Sequence, residues 1–274
     1  MPRPNDGSGY IHGYSDAEAE RLLEQAEFLA RWVMPGVDLD GVERLLEPGV
    51  GVGAETRLLL RRWPSLRIVG VDVSEDSLAR ARRVLDGDVA RGAVSLVRAS
   101  AAALPLDDAA FDGAFVCWLL EHVPDAARVV AECARCLRPG GRLSATEVYN
   151  TSLYVEPRRP IIDRYFAAVG EAQRASGGHP EIGARLGELA ARAGLRVERL
   201  RFVPVLGDGR DPDGRAALIR YFRELLRSAA PQVRAAGTFP DADLPELWAA
   251  FADVERAPDA LLCYTFAQLD ARKP

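Results

Sequence analysis

The sequence almost lacks lysine. Of its 35 lysine and arginine residues, only Lys273, next to the last position, is a lysine. Pyridoxal and other Schiff-base enzymes need an internal lysine, and so does the phosphate-binding loop of many nucleotide hydrolases. The single lysine at the end of the chain therefore argues against these chemistries.

Long apolar runs are also missing. No run approaches the ~18 residues that a membrane-spanning helix needs, and residues 1–25 contain no apolar core of a secretory signal. The four cysteines show no disulfide-framework spacing, and Cys133 and Cys136 fall inside a predicted helix. We therefore expect a cytoplasmic protein that does not bind membranes.

Basic residues are outnumbered by acidic ones, and the formal net charge is −5. Binding to a phosphate backbone usually needs a basic surface, so no nucleic-acid partner is predicted. The three histidines share no metal-ligand spacing, and no metal site is predicted. With 48% hydrophobic residues, the chain can bury a sizeable core.

Short apolar segments alternate with amphipathic ones from residue 43 onward, which is typical of strand–helix–strand units with parallel strands. Strands are predicted at 43–47, 67–73, 94–99, 111–118, 142–149, 196–205 and 261–269. Helices are predicted at 15–34, 54–63, 75–86, 125–137, 160–175, 182–193, 215–230 and 243–256. The predicted class is α/β, with a doubly wound, seven-stranded, mostly parallel sheet and one antiparallel strand near its edge.

The chain is expected to divide into three regions. Residues 1–41 would form an N-terminal lid helix region, and residues 42–150 a Rossmann-like ligand-binding core. Residues 151–274 would supply the rest of the sheet, with a helical cap built from 151–193 and 207–260.

A glycine-rich loop follows the first predicted strand. Gly49, Gly51 and Gly53 alternate there, and glycines at the end of a first strand let the backbone turn tightly and approach a ligand. Asp72 ends the next strand, where a carboxylate can accept hydrogen bonds from the ribose of an adenosine. The same glycines also satisfy a dinucleotide pattern, so an NAD(P)-dependent oxidoreductase is an alternative interpretation.

Three features favour an adenosyl sulfonium over a dinucleotide. Glu47 precedes the first glycine, where a carboxylate suits an amino group and would repel a pyrophosphate. The second feature is the pair Phe111 and Asp112 at the start of a later strand. The third is 137–141 (LRPGG), which ends a helix immediately before the strand at 142–149.

These segments together resemble the class I S-adenosylmethionine-dependent methyltransferases that act on small molecules. The segments that carry the resemblance, in the order and spacing of that superfamily, are 47–53, 71–74, 103–106, 111–112, 120–124 and 137–141. The resemblance covers about residues 43–150, and 9–26 is similar to the lid helix of such enzymes.

The resemblance implies a set of cofactor contacts. Glu47 and the three glycines would hold the methionine portion, Asp72 the ribose, and Val73 the adenine. At the position that often binds the adenine amine, this chain has Ser100 followed by Ala101. Further cofactor contacts are predicted for Tyr14 and Gln25 of the lid, and for Cys117, Trp118 and His122 after the fourth strand.

Three residues are candidates for chemistry on the acceptor. Glu147, near the end of a strand, could act as a general base, Tyr149 could hydrogen-bond or stack, and His179 could reach the site from a loop. Methyl transfer from a sulfonium relies on in-line approach and desolvation, and needs a base only when the acceptor must lose a proton.

The predicted function is methyl transfer from S-adenosylmethionine to a carbon, nitrogen or oxygen of a small organic acceptor, in biosynthesis or specialised metabolism. A non-catalytic S-adenosylmethionine-binding protein is a further alternative, and a homodimer is possible. Aromatic residues of the cap that predict an apolar acceptor pocket are Tyr154, Tyr165, Phe166, Tyr221 and Phe222.

Overall fold

A computed structural model describes residues 10–12 and 15–274. A single mixed sheet runs through the molecule, and its strands are short apolar segments with fully buried side chains such as Leu45 and Leu46. The strands are β1 (Arg44–Pro48), β2 (Arg67–Asp72), β3 (Val94–Arg98), β4 (Phe111–Cys117), β5 (Leu137–Val148), β6 (Tyr154–Glu156), β7 (Arg196–Gly207) and β8 (Leu261–Arg272).

The strand order is β3-β2-β1-β4-β5-β8, with β7 paired on the far side of β8. Strands β1 to β5 are parallel, and β8 runs antiparallel to its neighbours. The predicted doubly wound sheet with one antiparallel strand near its edge is therefore confirmed. Strand β6 was not predicted. It pairs with 261–263 of β8, next to the residues 266–272 of β8 that pair with β5.

Helices cover both faces of the sheet. They are α1 (Asp16–Val33), α2 (Ala54–Arg62), α3 (Glu75–Val84), α4 (Asp86–Ala90), α5 (Ala126–Cys136), α6 (Pro160–Ala175), α7 (Leu186–Arg192), α8 (Pro212–Ser228), α9 (Ala230–Ala236) and α10 (Leu244–Arg256). Leu45 packs in one apolar cluster with Leu59 of α2, whereas Leu46 packs in a second cluster with Val129 of α5. Successive side chains of a strand point to opposite faces, which produces this two-sided core.

The lid helix α1 begins where the sequence predicts. The Ser15 hydroxyl accepts a hydrogen bond from the backbone N–H of Glu18 at 3.1 Å, which caps the first turn. Leu29 and Val33 are buried against the body of the molecule, and the helix gives way to a short 3-10 turn that contains Pro35.

Helices α6, α8, α9 and α10 pack on one another as a cap. Tyr165 of α6 is fully buried at its centre, between the rings of Phe239 and Trp248, and its hydroxyl donates to the carbonyl of Leu226. Helix α7 lies apart from this cap, although the expected cap extended to residue 193. Its buried face, which includes Leu189, packs on β7, β8 and α5. Helix α7 therefore covers the sheet, as expected for an amphipathic helix that directly precedes a strand of the sheet.

The C-terminus closes the edge of the sheet opposite to the carboxyl ends of the parallel strands. The Nζ of Lys273 donates to the carbonyl of Leu137 at 2.6 Å and to that of Arg135 at 3.3 Å. A cation there neutralises the negative end of α5. Within the described ranges, no helix is both long and apolar enough to cross a bilayer. The division at residues 41 and 150 stays a prediction.

Candidate functional site

A cavity of 390 Å³ lies at the carboxyl ends of β1, β2 and β4. Gly49, Asp72 and Cys117 line its floor, and side chains of α1, α6 and α8 close it from above. Ligands of open α/β sheets bind at this edge, and the volume is in the range of small-molecule pockets. The cavity is therefore the candidate site.

The glycine loop forms one wall. Gly49, Gly51 and Gly53 have φ values of +73°, +53° and +80°, a region that side chains rarely adopt. A Cβ on Gly49 would lie 2.8 Å from Leu119, but a Cβ on Gly51 would lie in open space, its nearest neighbour 3.9 Å away. Gly51 therefore leaves room for a ligand to approach the backbone.

Asp72 is joined directly to this loop. Its Oδ2 accepts from the N–H of Gly51 at 2.9 Å, and its Oδ1 accepts from the N–H of Ser74 at 2.8 Å. Burial raises the pKa of Asp72, although these backbone donors oppose that shift. The carboxylate is thus held at the cavity floor.

Further predicted cofactor residues line the same cavity. Val73, Ser100 and Ala101 extend the wall beyond Asp72. Trp118 lies at the end of β4 with a φ of +49°, a strained value for a bulky residue, and such strain clusters at ligand sites. The remaining predicted cofactor residues on the wall are Gln25, Cys117 and His122.

Two predicted contacts lie behind the wall. Glu47 is 3% exposed, and its Oε2 accepts from the hydroxyl of Thr56 at 2.7 Å, which ties β1 to α2. Burial raises the pKa of Glu47 to about 8. Gly53 begins α2, and a Cβ there would lie 2.6 Å from Leu85. Both residues shape the loop from behind, and the structure gives them no contact with the cavity.

The lid is held closed by a polar network. The guanidinium of Arg21 donates to both carboxylate oxygens of Glu18, at 2.7 and 2.6 Å, and to Oε1 of Gln25 at 2.6 Å. The same Oε1 accepts from the hydroxyl of Tyr221 on α8 at 3.0 Å. Gln25 therefore joins lid and cap. Tyr14, the other predicted lid contact, lies outside the described residues.

The three predicted catalytic residues lie outside the cavity lining. Glu147 is fully buried, and its Oε1 accepts from the N–H groups of Leu119 at 3.0 Å and Leu120 at 2.7 Å. Tyr149 packs its ring on Phe202. The imidazole of His179 accepts from the main-chain N–H of Glu181, and the main-chain N–H of His179 donates to the carbonyl of Glu121. Glu147 and His179 thus support the turn at 118–122.

That turn also carries the carboxyl of Glu121, a residue just past a predicted strand end for which no catalytic role is predicted. Glu121 lines the cavity, and its Oε2 accepts from Nε2 of Gln173 at 2.7 Å. Burial raises its pKa to about 7. Next to it, His122 packs against the ring of Tyr10, and burial lowers its pKa to about 3. A carboxylate directly after a strand-end turn was the available signal, since such positions face the ligand edge.

Comparison with known proteins agrees with this geometry. Residues 46–145 match a family model described as a methyltransferase domain. A 27-O-demethylrifamycin SV methyltransferase from Amycolatopsis mediterranei is 34% identical, over 50% of this chain and 50% of its own. A trans-aconitate 2-methyltransferase from an Azoarcus species is 35% identical, over 54% of this chain and 55% of its own.

A solved structure extends the similarity beyond that domain. The [4+2]-cyclase SpnF is 26% identical, with a TM-score of 0.54, over 99% of this chain and 86% of its own. The chain spans about half the length of these two methyltransferases. Residues 46–145 are therefore similar to a methyltransferase domain, and the motifs and the sheet agree with that match.

Proposed function

We propose that this protein transfers a methyl group from S-adenosylmethionine to a small organic acceptor. The observation that carries the proposal is the joined pair of Gly51 and Asp72, at 2.9 Å, on the floor of the cavity. It places an open backbone segment beside a carboxylate that can bind a ribose.

The residues present fit this cofactor. Asp72 would hold the ribose hydroxyls, Val73 would pack on the adenine, and Ser100 with Ala101 would border its amine. Gly49 and Gly51 would border the methionine portion. When bound, the cofactor supplies an electrophilic methyl group on a positively charged sulfur.

The protein contributes positioning and exclusion of water. Gln25, in contact with Tyr221, keeps α1 over the cavity. A largely apolar site beneath α1 aligns donor and acceptor and displaces competing water, which supplies much of the rate of a methyl transfer. Glu147, Tyr149 and His179 were expected to act on the acceptor; their positions outside the lining favour structural roles.

The charge of the cavity argues against a dinucleotide. Arg21 and Arg80 are the arginines that line it among the described residues, and each is paired, with Glu18 at 2.6 Å and Asp16 at 2.7 Å. Glu55 also lines the wall, so carboxylates outnumber cations. A pyrophosphate would be repelled there, whereas a sulfonium would be attracted.

The test is calorimetric titration with S-adenosylmethionine, S-adenosylhomocysteine and NADH. We expect micromolar binding of both adenosyl compounds and loss of that binding in Asp72→Ala. Saturable binding of NADH without binding of either adenosyl compound would reverse the conclusion in favour of an oxidoreductase.

A second candidate is a protein that binds S-adenosylmethionine without transferring its methyl group. The similarity to the [4+2]-cyclase over nearly the whole chain is the observation in its favour. Incubation with acceptors distinguishes the two: cofactor consumption supports the transferase, and cofactor binding without turnover of any acceptor supports the alternative.

The proposal includes a homodimer. Strand β7 ends the sheet, and its Leu200, Phe202 and Leu206 are exposed, which is unusual for a monomer's surface. Sedimentation at micromolar concentration tests this; a single monomeric species would contradict it.

A further inference from the structure

The upper part of the cavity, beyond the cofactor wall, has a lining that selects its acceptor. Phe166 and Val169 of α6, Phe222 and Leu225 of α8, and Phe266 of β8 form it. Such a surface favours an apolar, ring-shaped molecule over a polar one. This step rests on the proposed function, because it assumes that the lower part holds the cofactor.

This part of the cavity offers no unpaired cation among the residues that the structure describes. Arg21, which lines the cavity, donates to both carboxylate oxygens of Glu18. His12 and His122 are held neutral, because burial lowers the pKa of each. An acceptor that carries a carboxylate or a phosphate would lose its hydration there without gaining a partner. The carboxylate acceptor named for the trans-aconitate relative therefore does not fit this cavity.

Glu121 is one of the polar residues that line the cavity together with these apolar side chains. Only 10% of its side chain is exposed. Its Oε2 is held by Gln173, whereas its Oε1 accepts no hydrogen bond from a described residue and lies 3.6 Å from Nε2 of His122. Its main-chain carbonyl is fixed by the N–H of His179 at 2.8 Å. One carboxylate oxygen is thus positioned and left available.

We propose that Glu121 is the general base of the reaction, and that the acceptor is a neutral, largely apolar molecule with a phenolic or enolic hydroxyl. The acceptor hydroxyl donates to Oε1 of Glu121 and passes its proton to that oxygen. The acceptor oxygen forms a bond to the methyl carbon as the carbon–sulfur bond breaks. The electron pair of that bond stays on the sulfur, which becomes the neutral thioether of S-adenosylhomocysteine, and the proton leaves Glu121 for water afterwards.

The chemistry of Glu121 favours a hydroxyl of this kind. Burial raises its pKa to about 7, which brings its proton affinity closer to that of a phenol, whose pKa is about 10. An aliphatic ammonium would be held protonated by the same carboxylate, without the lone pair that attacks the methyl group.

The other titratable groups around Glu121 come from every element packed against it. They are Arg21 of α1, Cys117 of β4, His122 of the same turn, Glu147 of β5, Tyr221 of α8, Tyr264 of β8, and Tyr10. Burial raises the pKa of Glu147 and of the three tyrosines, and lowers that of His122 to about 3.

The test uses two probes with the same ring system, 2-naphthol and 2-naphthoate, titrated into the protein saturated with S-adenosylhomocysteine. We expect 2-naphthol to bind at least tenfold more tightly than 2-naphthoate. Its affinity should rise several-fold as the pH increases through about 7, since the ionised Glu121 is the stronger acceptor.

Three variants test whether Glu121 causes the pH dependence of 2-naphthol binding. Glu121→Gln should abolish the pH dependence of 2-naphthol binding, Glu121→Asp should retain it, and the exposed control Glu246→Gln should leave it unchanged. Retention of S-adenosylhomocysteine binding shows that each variant is folded. Equal or tighter binding of 2-naphthoate, binding of neither probe, or an unchanged pH dependence in Glu121→Gln would overturn the inference. Failure to bind S-adenosylhomocysteine in the unmodified protein would instead count against the proposed function.

Discussion

The carboxyl of Glu147 and the main-chain N–H of Leu120 are joined by a 2.7 Å hydrogen bond within the buried core. The same oxygen also accepts from the N–H of Leu119. Burial, followed by the charge of Glu121, raises the pKa of Glu147 well above its usual value, so the folded protein favours its neutral form. A strand side chain thus fixes the turn that presents Glu121.

Removing this support should destabilise the protein. Glu147→Ala leaves two backbone donors unsatisfied and a small cavity, so we expect a loss of about 2–4 kcal/mol in the free energy of unfolding. Glu147→Gln keeps an acceptor and should lose much less. Urea denaturation measures both; equal losses would show that the hydrogen bonds contribute little.

The pH dependence of stability has a definite sign. Because the pKa of Glu147 is higher in the folded than in the unfolded protein, its protonated form contributes to the free energy of unfolding. That contribution is complete below a pH of about 4.5 and is lost as the pH rises through the folded-state pKa. The unmodified protein should therefore lose stability with increasing pH more steeply than Glu147→Gln. Urea denaturation between pH 5 and 8 compares the slopes, and parallel curves would contradict this assignment.

Gly51→Ala should abolish cofactor binding without unfolding the protein. The added Cβ would enter open space, where we place the ligand, at a φ of +53°. Gly41→Ala is the matched control, because its φ is +78° and nothing lies within 4 Å. Both variants should lose about 1–2 kcal/mol of stability from backbone strain. Only Gly51→Ala should lose S-adenosylhomocysteine binding in calorimetry, and similar affinities for the two variants would place the cofactor elsewhere.

Binding of S-adenosylmethionine should release protons. Burial raises the pKa values of Glu55 and Glu121 to about 7, and a nearby positive sulfur would lower both. S-adenosylhomocysteine lacks that charge and should release fewer. Calorimetry at pH 6.5 in two buffers of different protonation enthalpy measures the difference. Equal release by the two compounds would contradict a sulfonium near these carboxyls.

Tyr221→Phe should loosen the lid. It removes the 3.0 Å hydrogen bond to Gln25 but keeps the ring stacked on Phe28. A loss of about 1 kcal/mol corresponds to a roughly fivefold faster dissociation of S-adenosylhomocysteine. Tyr165→Phe removes a comparable hydroxyl, bonded to the carbonyl of Leu226, and should leave the rate unchanged. Stopped-flow displacement gives both rates; a similar acceleration in the two variants would exclude a specific latch.

The sequence allows the sheet and the glycine loop to be predicted, because both are local patterns. Alternating apolar segments identify the strands, and the positive φ values at Gly49 and Gly51 are the reason for the glycines. Strand β6 is too short, at three residues, to show a period of its own.

The chemistry of the acceptor side could not be predicted in the same way. Glu147 lies near a strand's carboxyl end, as a catalytic residue would, but its side chain points at backbone donors of the neighbouring turn. The lid network joins Gln25 to Tyr221, almost two hundred positions apart, and no local pattern carries that contact. The orientation of the Glu121 carboxylate depends on a hydrogen bond from Gln173, which is also distant in the sequence.

The position of Lys273 has a practical consequence. As the chain's single lysine, bonded to the end of α5 at the sheet edge opposite to the cavity, it gives amine-reactive reagents one side-chain target. Once the α-amino group is blocked, a dye coupled to Lys273 would report from the sheet edge opposite to the cavity and would leave the lining of the cavity unmodified.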